Sequence, residues 1–369
     1  MESFTVEKLP LKSVEWKTLI PILGKANRAL ANYNGILYAL PNPAVLLSPL
    51  TTQEAVLSSR IEGTQATFGE VLRYEAGGEI VEERKRHDIQ EIINYRKALR
   101  KAEIVLKDKP FHLNLLLALH EILLDSVRGR DKQRGQFRNI QNWIGKPGCK
   151  IEEADFVPPE PLQVLGLMDN WEKYYHADEA DPLVQLAIVH AQFEIIHPFL
   201  DGNGRIGRII IPLFLYEREV LTKPMFYISS YLEKHRDEYV ERLRDLQHPG
   251  NWEKWIAFFL RAITEQSEQN TKKVQQILKL YEQMKERIIT LTHSQYAVPL
   301  LDHLFKHPIF ASNALTIHKA MPSTPMVMIL LKKLKDDGIL KVLREGSGRR
   351  PQILAFAELV NLCEGKKVV

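Results

Sequence analysis

Residues 197–208 read His-Pro-Phe-Leu-Asp-Gly-Asn-Gly-Arg-Ile-Gly-Arg, and this stretch decides which fold we expect around it. An apolar helix precedes it over Leu183 to Ile196. That helix must end before Pro198, because the residue before a proline disfavours helical backbone. Two glycines then allow a tight loop, and a second apolar helix starts near Gly204. The sequence therefore predicts two core helices joined by a short loop.

This loop has the composition of an anion-binding site. The first N–H groups of a helix have no partner within the helix and lie at the positive end of its dipole. Arg205 and Arg208 are three positions apart, so both guanidinium groups leave the same side of the first turn. Two arginines beside such a loop suit a polyphosphate rather than one carboxylate. Asp201 adds an oxygen ligand suited to Mg²⁺, and His197 adds a base that titrates near neutrality.

The same twelve residues resemble the signature HPFxDGNGRxxR of the Fic (Fido) family at every fixed position. The resemblance implies a mainly α fold, a Fic-type helical core with a short β-hairpin flap. It also implies an enzyme, a protein adenylyltransferase that transfers AMP from ATP to a Ser, Thr or Tyr hydroxyl of target proteins and of itself. ATP would be the co-substrate, Mg²⁺ the cofactor, and proteins with hydroxyl side chains the partners.

The resemblance further implies a role for each residue of the motif. His197 would be catalytic and deprotonate the hydroxyl, and Asp201 would hold the metal. Asn203 and the neighbouring glycine backbone would bind the α- and β-phosphates, Arg205 the β-phosphate and Arg208 the γ-phosphate. The predicted nucleotide-binding residues are Gly202, Asn203, Gly204, Arg205, Ile206, Gly207, Arg208, Tyr239 and Gln247. The last two occupy positions like those that line the adenine pocket in the family, although Tyr239 also fits a core position on an amphipathic helix.

A hairpin is expected ahead of this motif. Asn142–Ile144 and Phe156–Val157 bracket a polar stretch rich in glycine and proline, which is typical of a short hairpin. By resemblance this hairpin is the flap that aligns the target segment through backbone pairing. The predicted flap residues are Glu153, Ala154, Asp155, Phe156 and Val157. A plain surface hairpin is the alternative.

A second short motif lies near the beginning of the chain. Residues 58–63, Ser-Ser-Arg-Ile-Glu-Gly, fit the family's inhibitory pattern [ST]xxxE[GN] with Ser58, Glu62 and Gly63. Locally, Thr51 and Glu54 have the spacing of a capping box, and Gly63 suits a helix end. The resemblance implies an inhibitory helix over about residues 52–63, whose Glu62 pairs with Arg208 and blocks the γ-phosphate site. The alternative is an ordinary capped helix with an exposed glutamate.

The chain divides into three predicted parts. Residues 1–108 form an N-terminal helical extension, residues 109–265 the Fic catalytic domain, and residues 266–369 a winged helix-turn-helix domain. In the third part a polar helix around Gln266 to Ile289 comes first. Two short strands around Gly346-Ser347-Gly348 follow the apolar helices, which is the winged-helix pattern. The apolar helices are expected at Ala297–Phe305, Asn313–Ala320 and Thr324–Lys335.

The third part is also basic. Residues 271–369 carry 16 Lys and Arg against 8 Asp and Glu, a net charge of +8, whereas the whole chain carries +4. This asymmetry favours a polyanionic partner. The basic residues of the predicted recognition helix and wing are Lys332, Lys333, Lys335, Arg344, Arg349 and Arg350, while Met326, Met328 and Leu330 look like core. Winged helices also dock proteins or dimerise, so DNA binding and a homodimer both stay open.

Composition excludes several other classes. Hydrophobic residues make up 45% and charged residues 26%, as in ordinary globular proteins. The longest apolar stretch, Ile209 to Tyr216, is too short for a membrane span, and the acidic start does not resemble a signal peptide. Two cysteines exclude a disulfide framework. We therefore expect a cytoplasmic, bacterial-type protein. The alternatives to AMP transfer are a DNA-binding regulator with a nucleotide-sensing Fic domain, Fic chemistry with another donor, and removal of AMP.

Overall fold

The computed structural model describes residues 3–125, 132–146, 148–248, 250–317 and 320–369. These residues are mainly helical with one small antiparallel sheet, which confirms the predicted fold class. The α-helices are α1 Trp16–Ala39, α2 Pro43–Leu46, α3 Ser48–Ile61, α4 Phe68–Glu75, α5 Glu83–Val105, α6 Leu113–Leu123, α7 Pro161–His176, α8 Pro182–Ile196, α9 Asn203–Glu217, α10 Ser229–Lys234, α11 Arg236–Asp245, α12 Trp252–Thr292, α13 Ala297–Lys306, α14 Thr324–Asp336 and α15 Ala357–Glu364. The strands are β1 Ile309–Ala311, β2 Lys341–Arg344 and β3 Ile353–Ala355.

The described residues group into two compact units. The first contains Met1–Gly35, Leu57–Gly63 and Asn94–Glu268. The second contains Ile36–Val56, Thr64–Ile93 and Gln269–Val369. Neither unit coincides with one of the three sequence parts, whose boundaries at residues 108 and 265 stay a prediction. Among the described residues, none of the helices combines the length and apolar character that crossing a bilayer requires.

Helix α8 is at the centre of the first unit, where it packs against α7 and α9. Asp181 caps it, accepting a hydrogen bond from the Leu183 N–H at 2.7 Å, and Pro182 occupies the first turn. All of its residues from Leu183 to Ile196 are buried except Glu194. Burial on all sides explains why this helix is apolar around its whole circumference. It presents its last residues to the predicted loop.

The second unit contains the sheet. The strand order is β1-β3-β2, and both pairs are antiparallel, with Phe310 opposite Leu354 in the first pair. The order α13, β1, a 3-10 turn at Ala314–Ile317, α14, β2 and β3 fits the predicted winged helix-turn-helix, whose assignment stays a prediction. Strand β1 is absent from the sequence prediction because three residues carry too little alternation.

Several predicted elements differ from the structure. Helix α3 begins at Ser48, so the predicted capping box is wrong: Thr51 lies inside the helix and donates from its hydroxyl to the Leu47 carbonyl at 3.3 Å. The capping box is instead at Thr67 and Glu70, at the start of α4. The polar helix predicted from residue 266 is the second half of α12, because no glycine or proline interrupts residues 252–292.

The C-terminal prediction also needs correction. The helix expected over Asn313–Ala320 is a 3-10 turn at Ala314–Ile317, and residues 318 and 319 lie outside the described residues. Met326 and Met328 are exposed rather than core, because α14 buries its other face through Val327, Leu330 and Leu331.

Candidate active site

His197 ends α8 with a left-handed backbone, at φ 49° and ψ 59°. This conformation is uncommon for a residue with a side chain and marks a constrained site. The ring nitrogen Nδ1 lies 3.2 Å from the Glu194 carbonyl oxygen, which can only accept, so Nδ1 carries the proton. The other nitrogen, Nε2, is left as an acceptor. Burial lowers the pKa of His197 to about 4, so the ring is neutral at pH 7.

Two residues from outside the motif hold this loop. Arg138 donates from Nε to the His197 carbonyl at 2.9 Å and from a terminal nitrogen to the Pro159 carbonyl at 2.5 Å. His120 Nε2 lies 3.0 Å from the Asp201 carbonyl oxygen, and its Nδ1 accepts the Gly135 N–H at 3.0 Å. Burial lowers the pKa of His120 to about 4, which keeps it neutral. Neither residue is predicted from the sequence, because an isolated polar residue has no spacing signal.

Asn203 folds the loop back on itself. Its side-chain oxygen accepts the Phe199 N–H and its amide donates to the Phe199 carbonyl, both at 2.8 Å. The side chain is buried and both of its ends are engaged. Asn203 therefore shapes the phosphate loop, and its backbone N–H, in the first turn of α9, is the group left for an anion.

The structure places Gly202, Arg205 and Asp201, which the sequence predicts on the phosphate side of the loop, close to one another. Gly202 precedes α9 with φ 81°, and Arg205 lies in the first turn. The Arg205 guanidinium is buried and lies 3.1 Å from an Asp201 carboxylate oxygen. The Asp201 side chain is 42% exposed, so its carboxylate is accessible for a further ligand. No cluster of three or more His, Cys, Asp or Glu side chains forms a metal site within the described ranges.

Arg208 pairs with the predicted inhibitory helix. It donates from Nε to the Ser58 hydroxyl at 2.8 Å, and one terminal nitrogen reaches the Ser58 carbonyl at 2.9 Å and Glu62 Oε1 at 2.6 Å. The guanidinium is 1% exposed and the Glu62 side chain 38% exposed. Burial acts to raise the pKa of Glu62, but the charge of Arg208 and its hydrogen bond, followed by the charge of Arg205, lower it below its usual value. The carboxylate is therefore ionised at pH 7.

The Glu62 carboxylate occupies the space over the first turn of α9. A Cβ atom on Gly204 would collide with Glu62 Oε1 and lie 3.0 Å from an Arg208 nitrogen. Only glycine at this position lets the carboxylate come so close to the helix. Gly63 follows with φ 94° and allows the chain to turn away directly after Glu62. The carboxylate thus lies where an anion on Arg208 would bind.

A cavity of about 180 Å³ adjoins these residues. Its lining includes Glu62, Glu194, His197, Arg208 and Tyr239. The lining also contains Gly204 and, from the flap, Ile144, Asp155 and Phe156. Of the nine residues that the sequence predicts at the nucleotide, Gly204, Arg208 and Tyr239 line this cavity. Ile206 is buried in the core and Gln247 is exposed in the turn after α11. The predicted residues outside the cavity lining are Gly202, Asn203, Arg205, Ile206, Gly207 and Gln247.

Tyr239 is both a core and a cavity residue. It is almost fully buried, and its hydroxyl lies 2.9 Å from His190 Nε2. His190 Nδ1 lies 3.2 Å from the Gly207 carbonyl, so Nδ1 donates there and Nε2 accepts from the tyrosine. Burial lowers the pKa of His190 to about 3. His190 is therefore a core histidine with both ring nitrogens hydrogen-bonded.

The predicted flap is reduced to one bridge. Ile144 and Phe156 form an antiparallel bridge, and a 3-10 turn at Ile151–Glu153 lies between them in the sequence. The predicted short hairpin is therefore paired at this one position, because Pro158 has no N–H with which to extend the pairing. The Val157 carbonyl accepts the Phe4 N–H at 2.9 Å, and the rings of Phe4 and Phe156 lie 5.6 Å apart. Asp155 is 3.7 Å from Arg244.

Family models match two parts of this chain. The model of the Fic/DOC family N-terminal region matches residues 20–103, and the model of the Fic/DOC family matches residues 110–215. Together they cover about half of the chain. The second match contains His197 and the whole twelve-residue motif.

The names of the chain's curated relatives agree with these family matches. Protein adenylyltransferase fic-1 of Caenorhabditis briggsae is 25% identical over 193 residues, 51% of this chain and 36% of that protein. A probable protein adenylyltransferase of Aquifex aeolicus is 31% identical over 110 residues, 30% of this chain and 32% of that protein. The chain thus spans about a third of the length of these curated relatives.

Among solved structures, a Fic family protein from Desulfovibrio desulfuricans has a TM-score of 0.59 at 18% identity, covering 95% of this chain and 98% of that one. Fic-1 of Caenorhabditis elegans has a TM-score of 0.56 at 19% identity, covering 72% of this chain and 75% of that one. At these identities the likeness shows a shared fold.

Proposed function

The chain belongs to the Fic/DOC family, and from this we infer that it is a protein adenylyltransferase that inhibits itself. It would transfer AMP from ATP to a Ser, Thr or Tyr hydroxyl of target proteins and of its own chain. One observation carries the proposal: Glu62 Oε1 lies 2.6 Å from the buried Arg208 guanidinium, above the first turn of α9. The site thus combines a base, His197, with the anion-binding start of α9 and a carboxylate of the same chain, Glu62.

His197 would act as the general base. Its Nε2 is free to accept the proton of the target hydroxyl, whose oxygen then attacks the α-phosphorus of ATP. The new O–P bond forms as the bond from the α-phosphorus to the bridging oxygen breaks, and pyrophosphate leaves with that electron pair. The N–H groups at the start of α9 and the side chains of Arg205 and Arg208 would stabilise the charge on the phosphates. Catalysis of this kind depends mainly on positioning and electrostatics.

Asp201 fits a magnesium ion bound with nucleotide. Its carboxylate is 42% exposed and lies beside the phosphate loop, and Mg²⁺ typically takes one or two carboxylates together with phosphate oxygens. The ion would neutralise charge on the phosphates. Arg205, 3.1 Å from Asp201, would keep the carboxylate oriented towards them.

Targets would dock on the flap by backbone pairing. The Val157 carbonyl pairs with the Phe4 N–H of this chain, and a target strand would replace Phe4 as its partner. Pairing through the main chain tolerates many target sequences. Arg138 would hold this edge at a fixed position relative to His197, since it donates hydrogen bonds to the carbonyls of both Pro159 and His197. The two free cysteines suit the cytoplasm, which we propose as the compartment.

Inhibition would follow from competition for Arg208. One guanidinium cannot hold Glu62 and a γ-phosphate in the same geometry, so ATP would bind with its α-phosphate misplaced relative to His197. Release requires Glu62 to leave. In this scheme the carboxylate lowers activity and takes no part in the transfer step.

Wild type, Glu62→Gly and Glu233→Ala, each incubated with labelled ATP and Mg²⁺, test the proposal. Mass spectrometry would locate the label on this chain and on added proteins. Glu233 is the matched control, because it makes a more exposed pair with Arg60 at 3.3 Å and does not contact Arg208. We expect strong labelling only with Glu62→Gly. No labelling by any of the three, label from a different donor, or loss of AMP from a labelled protein would favour the alternative chemistries.

A further inference from the structure

Glu194 lies in the cavity beside Arg208, and the proposed mechanism gives it no role. It is the one residue between Leu183 and Ile196 that is not fully buried, and its side chain lines the cavity. Its oxygen Oε1 is inaccessible to solvent and has no hydrogen-bond partner among the described residues. Buried polar atoms in native proteins nearly always have a partner, so an unpaired one indicates a site that something else completes.

A close approach between two helices sets the position of this carboxyl. A Cβ atom on Gly207 would collide with Glu194 Oε1, so the glycine leaves room for the carboxyl to pack against α9. The next residue along α9 is Arg208. The charges of Arg208 and Glu62 both act on Glu194, and the carboxyl in turn acts on Tyr239. Glu194 therefore lies beside the residue that the proposed function assigns to the terminal phosphate.

The carboxyl is uncharged at neutral pH. Burial raises the pKa of Glu194 to about 8; the nearby Arg208 acts to lower it and Glu62 acts to raise it. A protonated carboxyl is a hydrogen-bond donor. The other ionisable groups that line the cavity are Glu62, Asp155, His197, Arg208, Arg236, Tyr239 and Arg244.

We propose that Glu194 is a nucleotide-positioning residue whose neutral carboxyl donates a hydrogen bond to the terminal phosphate of ATP once Glu62 has left Arg208. This rests on the proposed function, because it requires the γ-phosphate to bind Arg208. The bond would supply the partner that Oε1 lacks. An ionised carboxylate at the same place would repel the phosphate. ADP has no third phosphate and would not reach Glu194.

The test compares ATP with ADP binding, measured by calorimetry with Mg²⁺ on the full chain carrying Glu62→Gly. Two substitutions are added to this parent. Glu194→Gln keeps a neutral donor of the same shape, and Glu194→Ala removes it. We expect Glu194→Ala to weaken ATP roughly tenfold and leave ADP unchanged, as loss of one bond to a charged group predicts. Glu194→Gln should match the parent at pH 7.

The pH profile gives an independent measurement. As the pH rises to 9 the parent should lose ATP affinity as Glu194 ionises, beginning at a lower pH than with Glu62 present because that carboxylate raises the pKa of Glu194. The Glu194→Gln protein should stay flat to pH 9, and ADP binding should stay flat in both. Equal loss of ATP and ADP affinity in Glu194→Ala, or a Gln variant as weak as the Ala variant, overturns the inference. If Glu194→Ala does not fold, a parent whose ATP affinity is flat to pH 9 overturns it.

Failure of the proposed function gives a different result. A parent that binds ATP but transfers no AMP contradicts the proposed reaction, while the comparison of ATP with ADP still decides the role of Glu194. A parent that binds ATP no more tightly than ADP, and whose ATP affinity does not change when Arg208 is replaced by alanine, contradicts both.

Discussion

Arg138 donates from Nε to the carbonyl oxygen of His197 across 2.9 Å, although 59 residues separate the two in the sequence. The same guanidinium reaches the Pro159 carbonyl at the end of the flap, and the Arg138 N–H reaches the Pro198 carbonyl at 2.9 Å. Burial lowers the pKa of Arg138 to about 10, which still leaves it charged at neutral pH. One buried cation thus fixes both the proposed base and the segment proposed to align the target.

Arg138→Met should lower both the free energy of unfolding and the rate of AMP transfer, with little effect on ATP affinity. Methionine fills similar space but leaves the carbonyls of His197 and Pro159 without a donor, and each buried unpaired acceptor costs about 1–3 kcal/mol. Urea unfolding measures the first quantity, and labelling at saturating ATP measures the second.

Arg134→Met is the control for this prediction. Arg134 is a nearby arginine whose ion pair with Asp125 lies at the surface, and such pairs contribute about 0–1 kcal/mol. Equal losses from the two substitutions would contradict the role assigned to Arg138.

The buried histidines predict that acid destabilises the fold. Burial lowers the pKa of His120 to about 4, of His190 to about 3 and of His197 to about 4. Unfolded histidines bind protons near pH 6.5. The contribution of these groups is therefore complete above pH 6.5 and is lost as the pH falls towards the folded values. Glu194 acts in the opposite direction: its raised pKa stabilises the fold below about pH 4.5 and this contribution is lost up to about pH 8.

The slope of unfolding free energy between pH 6.5 and 5 measures this effect. Each proton that the unfolded chain binds in excess changes the slope by about 1.4 kcal/mol per pH unit. His190→Gln keeps a donor and an acceptor but cannot titrate. The slope of its unfolding free energy should therefore be less steep than that of wild type, by up to about 1.4 kcal/mol per pH unit, and the difference should grow as the pH falls. A slope identical to wild type would mean that His190 titrates normally in the fold.

Local signals predict the core of the site. Asp181, Pro198 and the two glycines of the motif act within a few residues, and the structure has the helix start, the helix end and the loop that they indicate. The Glu62–Arg208 pair is different, because 146 residues separate its members. Nothing in the local sequence links them, and only the resemblance predicts the pair.

The remaining site residues have no signal in the sequence. His120, Arg138 and Glu194 are single polar residues whose roles come from contacts with distant segments, and residue spacing does not record such contacts. The same limit explains the error over α12. Its composition changes from apolar to polar near residue 266, which reflects a change in burial rather than the end of a helix.

DNA binding by the C-terminal residues should be weak, with a shallow dependence on salt. Four of the six predicted basic residues already bind protein groups: Lys333 reaches the Leu291 carbonyl, Lys335 reaches Gln352, Arg344 reaches Gly77 and Pro351, and Arg350 pairs with Glu79. Lys332 and Arg349 are exposed, and no hydrogen bond or ion pair is recorded for them in the described part of the chain. The exposed face of α14 also carries Met326, Met328 and Ile329.

Fluorescence anisotropy with a labelled duplex at several salt concentrations tests this. Two phosphate contacts give a slope of log affinity against log salt of about −2, since each contact contributes about −0.9. Lys332→Ala with Arg349→Ala should abolish that slope. A slope of about −5 or steeper would mean that the other four residues exchange their protein partners for phosphate.

A double-mutant cycle distinguishes a specific Glu62–Arg208 lock from a general effect of charge. Arg205 is the matched control, because it lies in the same turn of α9 and also acts on Glu62 by its charge, yet it donates a hydrogen bond to Asp201 at 3.1 Å. Relieving about 1.5–3 kcal/mol of competition at Arg208 should raise labelling at limiting ATP roughly tenfold to a hundredfold. Because Glu62 is 38% exposed, we expect the lower part of that range.

Glu62→Gly should therefore activate the chain when Arg205 is alanine, from a lower starting rate, and should not activate it when Arg208 is alanine. Without Arg208 the carboxylate has no partner to withhold from the γ-phosphate, so its removal has nothing to release. Removing Glu62 from the wild-type site leaves the guanidinium without a charged partner in the resting protein, and ATP then supplies the missing anion, so the cost falls on the unliganded state.

The measurement is the initial labelling rate of six proteins: wild type, Glu62→Gly, each arginine variant, and each arginine variant combined with Glu62→Gly. Thermal melts show that each is folded. Equal activation by Glu62→Gly in the two arginine backgrounds would mean that the carboxylate acts through its charge on the whole phosphate site and not through Arg208.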